Sequence, residues 1–125
     1  MIKISNLTKI YKSKDRGTCK ALNNVCLDLP DNGLVFVIGK SGSGKSTLLN
    51  MLGGLDKITS GEIVIDGNEI SKYNKDQFDN YRSHHIGFIF QHYFLMETLN
   101  VYQNVELSLD LSMQENNGIV ESLIE

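Results

Sequence analysis

Gly39-Lys40-Ser41-Gly42-Ser43-Gly44-Lys45-Ser46-Thr47 decides the reading of this chain. The stretch satisfies G-x-x-x-x-G-K-[ST], and its flanks are those a phosphate-binding loop requires. Ahead of it, Leu34-Val35-Phe36-Val37-Ile38 is an unbroken apolar run that predicts a strand buried on both faces. Behind it, Ser46-Thr47-Leu48-Leu49-Asn50-Met51-Leu52 is rich in good helix formers. Glycines 39, 42 and 44 let the backbone curl so that successive N–H groups converge on phosphate oxygens. The helix N-terminus adds a partial positive charge and Lys45 a full one. The Ser46 hydroxyl then falls where it can ligate a Mg²⁺ ion bridging the terminal phosphates. The sequence therefore predicts a nucleoside triphosphate site.

Composition narrows the class. A chain of 125 residues that is 41% hydrophobic holds one modest core. A formal charge of −3 lacks the basic footprint of a nucleic-acid binder. Cys19 and Cys26 stand without a second pair or histidines at metal spacing, so they read as small strand residues in a reducing compartment. His84, His85 and His92 likewise lack a metal-binding partner set and read as surface or strand-end residues. Met1-Ile2-Lys3-Ile4-Ser5 enters alternation directly, without a secretory pattern. The longest apolar run falls far short of the roughly 20 residues that span a bilayer. Any membrane role is expected to run through a partner or through a segment outside these residues.

Residues 1–29 read as β, with Ile2 and Ile4, then Val25, Leu27 and Leu29, alternating with polar neighbours as in antiparallel strands with one solvated face. Residues 12–18 between them read as a polar loop, and Pro30-Asp31-Asn32-Gly33 as a turn. Gly53-Gly54 ends the loop helix. Residues 61–68 predict a short strand closed by a tight turn. Asp66, at the end of that strand, could pass for a metal-binding carboxylate, but Gly67 follows at once and favours a turn. Asn74 with Gln77 and Asn100 with Gln103 have capping-box spacing. They predict one helix to about Arg82 and another carrying Val101, Val105 and Leu109. Ile86-Gly87-Phe88-Ile89-Phe90 predicts a second buried strand ending at Gln91. A last amphipathic piece, with Ile119, Val120, Leu123 and Ile124, is still in progress at Glu125, so the domain is expected to continue further.

Several chemistries use such a loop. Asn74-Lys75-Asp76 is superficially like a guanine-reading N-K-x-D, but its Asp comes one position early. Arg16 and Arg82 are the only arginines, and neither belongs to a lid-like cluster of the kind a nucleoside kinase needs. Over essentially its whole length the chain instead resembles the ATP-binding domain of ABC transporters. Residues 4–11 look like that family's first strand and aromatic A-loop, and Ala21-Leu22-Asn23-Asn24-Val25 like its second strand. Residues 41–50 have its usual Walker A form. Thr59-Ser60-Gly61-Glu62, Asp66-Gly67 and residues 86–91 follow at its spacing, the last like the strand entering the Q-loop. Gly53-Gly54-Leu55-Asp56 and residues 81–91 are similar to the lipoprotein-release and macrolide-export branch (LolD- and MacB-like), and residues 33–41 look more narrowly like members paired with or fused to an FtsX-like permease.

The resemblance implies an α/β P-loop core with an N-terminal antiparallel β subdomain, cut off within the helical subdomain, so that residues 1–125 form part of one domain. It implies ATP and Mg²⁺ as ligands, with residues 39–47 around the phosphates, Lys45 catalytic and Ser46 on the metal. Tyr11 would stack on adenine, against the plainer reading of an ordinary strand aromatic. Gln91 would reach the metal shell and the attacking water and couple the site to the permease, against the plainer reading of a solvated loop residue. Tyr93, Phe94, Leu95 and Met96 would help receive the permease or pack the core. A second ATP-binding domain is the implied dimer partner, and the cytoplasmic face of the membrane the implied location. The signature motif, the Walker B strand and the switch histidine have no counterpart in these residues. Without the metal-side carboxylate and the trans donor, turnover by this stretch alone should be slower by several powers of ten. The alternatives are a truncated, non-hydrolysing nucleotide binder and a soluble ATPase acting on DNA or ribosomes. The second would call for zinc modules, coiled-coil insertions or basic surfaces, none of which the sequence carries.

Overall fold

The computed structural model describes residues 1–15, 17–111 and 114–124; Arg16 and Glu125 lie outside the described residues. The chain divides into two compact units, residues 1–79 and 80–125.

The first unit is built on a four-stranded antiparallel sheet in the order β2-β1-β3-β4, with β1 Ile2–Ser13, β2 Gly17–Leu29, β3 Ser60–Ile65 and β4 Asn68–Glu69. The two apolar rows seen in the sequence face each other: Ile2 pairs with Leu29, Ile4 with Leu27 and Leu7 with Val25. The polar loop expected over residues 12–18 is shorter than its composition suggests, because Lys12 pairs with Thr18 and Ser13 with Gly17. Polar side chains do not prevent pairing where both faces of a hairpin end meet water.

β1 carries one residue more than either neighbour between Ile4 and Thr8, and Asn6, at φ 50°, supplies the bulge. Opposite it, Gly61 has φ +101°, and a Cβ there would lie 2.5 Å from the Asn6 carbonyl oxygen. Only glycine allows that approach. β3 and β4 join through Asp66-Gly67, both at positive φ (48° and 81°), as a two-residue hairpin turn of the primed kind demands. Asp66 is therefore a turn residue, and it accepts a 2.5 Å hydrogen bond from the Met1 ammonium.

Helix α1, Lys45–Leu52, lays Leu48 and Met51 into the core, one turn apart on one face. The core also holds Ile4, Leu7, Leu22, Ile63, Ile70 and Phe78. Each fully buried aliphatic chain contributes about 1.5–3 kcal/mol relative to exposure. Gly54, at φ 66°, turns the chain out of α1, and the Leu55 N–H closes back on the Asn50 carbonyl. A single turn of 3₁₀ helix, Ile70–Lys72, leads into α2, Lys75–His85, which runs about one turn past the expected end. Its capping box forms as the spacing requires, with Asn74 N–H to Gln77 Oε1 and Gln77 N–H to Asn74 Oδ1, both 2.9 Å.

In the second unit, α3 spans Val101–Leu111 and α4 Ile119–Ile124. The Asn100–Gln103 box is reciprocal as well, at 3.0 and 2.9 Å. The Asn104 amide donates to the carbonyls of Met96, Leu99 and Asn100 and ties down the segment before α3.

Both buried-strand expectations fail. Residues 34–38 and 86–90 have no strand structure and no strand partner among the described residues. Leu34 is 79%, Ile38 90% and Ile89 fully exposed. A strand exists only through its ladder, and an apolar strand buried on both faces needs neighbours and helical cover as well. In place of a ladder, Phe88 and Phe90 stack at 5.1 Å, and Phe94 meets Phe90 edge-on at 5.0 Å. His84, His85 and His92 are exposed, and no metal-ligating cluster occurs among the described residues.

Candidate phosphate-binding site

The loop of residues 39–44 feeds directly into α1. Gly44 is the N-cap residue at φ 91°, and its carbonyl accepts the first helical bond, from Leu48 N–H at 2.8 Å. No side chain caps this helix, so its leading N–H groups remain turned toward the loop. A tight turn closes the loop, with Ser43 N–H on the Lys40 carbonyl at 3.2 Å. Gly42, at φ 77°, keeps the same curl.

A cavity of about 270 Å³ opens over these groups, lined by residues 41–47 on one side and by Cys19, Lys20 and Ala21 of β2 on the other. The two walls touch at Gly44, where a Cβ would lie 2.6 Å from the Ala21 carbonyl oxygen. Lys45 reaches back over the loop, its Nζ donating to the carbonyls of Gly39 (2.8 Å) and Lys40 (2.9 Å). Convergent N–H groups, a helix N-terminus and a fixed cation make this cavity complementary to an anion of several charges.

The chemistry of the donor set fits Mg²⁺ in one way only. Ser46 offers an exposed hydroxyl at the loop's end, and among the described residues no carboxylate lines the cavity. A magnesium ion held here would take that single protein oxygen and complete its shell with phosphate oxygens and water.

Tyr11 lies on β1 opposite Cys19, which itself lines the cavity. Its hydroxyl donates to Asp56 Oδ2 at 2.8 Å. Asp56 Oδ1 in turn accepts from Lys9 Nζ at 2.7 Å, and Lys9 also bonds the Lys57 carbonyl. Lys9 is the buried charged residue of the core, and burial without these partners would be costly. Its ammonium stands 4.8 Å from the centre of the Tyr11 ring. Burial and the Asp56 bond raise the Tyr11 phenol above its ordinary value. Burial alone would raise Asp56 too, but hydrogen bonds from Lys9, Tyr11 and the Lys57 N–H outweigh it and hold the carboxyl below the usual range. At neutral pH the pair is thus a carboxylate and an intact phenol donor.

The structure brings together Lys45, Ser46, Thr47 and the loop, and Tyr11 adjoins them through Cys19, its ladder partner, which lines the same cavity. Gln91 belongs to the second unit, where it is exposed at a bend rather than at a strand end. Sequence reasoning missed Lys9 and Asp56. Lys9 shares a face with Tyr11 at i, i+2, which is a usable signal; the 47-residue separation of its partner is not.

A glycine loop that opens a helix against a strand edge, with a lysine folded over it, defines a P-loop nucleotide-binding domain. The profile of the ABC transporter family matches residues 22–125, and the chain belongs to that family. It is 43% identical over 109 residues to the uncharacterised ABC transporter ATP-binding protein MJ0796 of Methanocaldococcus jannaschii, covering 87% of this chain and 46% of that protein. It is 41% identical over 125 residues to the methionine import ATP-binding protein MetN of Escherichia coli K12, covering all of this chain and 36% of that one. The dimeric post-hydrolysis structure of MJ0796 bound to ADP and Pi superposes with a TM-score of 0.86 at 37% identity, over 98% of this chain and 53% of that one. The chain thus spans about half the length of MJ0796 and about a third of MetN. The resemblance to an α/β ATP-binding cassette is borne out, with the antiparallel β subdomain formed and the parallel core strands not.

Proposed function

We propose that this chain is the nucleotide-binding part of an ATPase that drives a membrane permease, and that the loop of residues 39–47 holds the phosphates of ATP. The observation that carries the reading is the Lys45-bridged loop at the N-terminus of α1. Backbone N–H groups of the loop and of the first turn of α1 orient the phosphates. Lys45 exchanges its two carbonyl partners for phosphate oxygens, placing a charge where negative charge builds during phosphoryl transfer. Tyr11 stacks on the adenine, and Ser46 holds a Mg²⁺ ion, which neutralises phosphate charge when bound. Gln91 orients the attacking water and links the site to the permease. The remaining donors come from a second ATP-binding domain, as the dimeric form of MJ0796 suggests.

The branch-level similarity supports an FtsX-like permease, separate or fused, and a position at the cytoplasmic face of the membrane. No helix among the described residues is long and apolar enough to cross a bilayer. The test is ATP binding with Mg²⁺ by the full chain and by Lys45→Ala. Removing the charge-assisted bonds should weaken binding by about 10- to 100-fold. Unchanged binding by Lys45→Ala would overturn the reading.

A further inference from the structure

We infer that Asp56 and Lys9 are positioning residues for Tyr11, fixing its ring so that one face rests on a buried ammonium while the other meets the base of a bound nucleotide. The inference rests on the reading that Tyr11 stacks on adenine.

Three restraints act on this one residue. Its backbone is held in the β1–β2 ladder opposite Cys19. Its hydroxyl is gripped by Asp56 at 2.8 Å. One ring face looks onto Lys9 Nζ at 4.8 Å. Yet the residue stays 39% exposed, so the restraints leave surface free for a partner. An aromatic side chain that must lose rotamer freedom on binding is a weaker platform than one already fixed. The ammonium also opposes reorientation, since turning the ring edge-on would forfeit the cation–π contact.

Asp56 is held as firmly as the ring it grips. Its own N–H and that of Leu55 bond the Asn50 carbonyl in the last turn of α1, and its side chain caps the Lys57 N–H at 2.7 Å. Helix α1 therefore starts at the phosphate loop, and the turn that follows it, tied back to Asn50 in its last turn, carries the residue that sets the ring. The helix and the hydrogen-bonded turn after it together set the distance between the phosphate cradle and the base platform.

The test compares ATP with inorganic tripolyphosphate, which has the phosphates but no base, by titration calorimetry on the full chain. Asp56→Asn and Tyr11→Phe should each weaken ATP about three- to tenfold and leave tripolyphosphate binding unchanged. Asp56→Asn should add nothing in a Tyr11→Ala background. Equal losses for both ligands, or an undiminished Asp56→Asn effect without the Tyr11 ring, would show a structural role and overturn the inference. If Tyr11→Ala weakens ATP while Asp56→Asn and Tyr11→Phe do not, the positioning role fails alone. If Tyr11→Ala leaves ATP binding unchanged, the stacking reading fails with it. Should Asp56→Asn not fold, Tyr11→Phe, which deletes only the hydroxyl, still decides the matter.

Discussion

Gly44→Ala is the sharpest probe of the loop's construction, because Gly42→Ala provides an internal control. Both glycines have positive φ, 91° and 77°. Alanine in that left-handed region costs roughly 1–2 kcal/mol at either site. The two differ in what a methyl group would meet. At Gly42 nothing lies within 4 Å, whereas at Gly44 the Cβ would sit 2.6 Å from the Ala21 carbonyl oxygen and 3.0 Å from a Leu22 methyl. The first of these atoms is backbone of a paired strand and cannot swing aside. Overpacking of this kind costs roughly 1–3 kcal/mol. The expected totals are therefore about 2–5 kcal/mol for Gly44→Ala and about 1–2 kcal/mol for Gly42→Ala. With a urea m-value near 2 kcal/mol/M, the first should lower the unfolding midpoint by about 1–2.5 M and the second by less than about 1 M. Because relief requires β2 to move away from α1, Gly44→Ala should also weaken ATP binding by widening the cavity between them. Equal midpoints for the two variants would refute the claim that the β2 wall presses on the loop.

Acid stability should report the Asp56 network. A carboxyl whose folded pKa is depressed stabilises the fold above its unfolded value, near 4, and this contribution is lost as pH falls through the lower folded value. The difference in urea midpoint between the native chain and Asp56→Asn should therefore be constant from about pH 5 to 8 and shrink below about pH 4; a difference that grows on acidification would contradict the assignment. Asn74→Ala and Asn100→Ala each delete one half of a capping box and should cost about 1 kcal/mol, read from denaturant midpoints, with Ser restoring most of the loss in each case. The exposed residues Leu34, Phe36, Ile38 and Ile89 should make the 125-residue chain bind ANS and self-associate when produced alone. A non-associating monomer that melts sharply and ignores the dye would count against their exposure.

What could be read from the sequence divides along the range of the interactions. The capping boxes at Asn74 and Asn100, the Asp66-Gly67 turn and the curl at Gly42 and Gly44 depend on a few neighbouring residues, and all form as their spacing indicates. Apolar composition at residues 34–38 and 86–90 signals a preference for burial in a sheet, but not whether a ladder is at hand to receive it. Lys9 escaped notice for a related reason. A lysine in a strand reads as solvated until a carboxylate 47 residues away is brought against it. The loop was legible because one local motif contains its glycines, its cation and its hydroxyl. The support around Tyr11 was not, because it draws on two strands and the far end of a helix.

The bulge at Asn6 has an effect that a count of alternating residues would miss. Before it, even-numbered side chains of β1 point inward, with Ile4 buried; after it the parity reverses, and Leu7 and Lys9 are the buried ones. Asn6 thus acts as a phase shift in the strand: by bulging out it keeps Lys9 on the same face as Ile4 although their numbers differ in parity. Flattening the bulge with Asn6 still in place would send Lys9 to the opposite side and leave Asp56 without its cation, whereas deleting Asn6 would give a regular strand with Ile4, Leu7 and Lys9 still on one face. In a fold of this kind, the length of a strand sets a side chain's neighbours as firmly as its chemistry does.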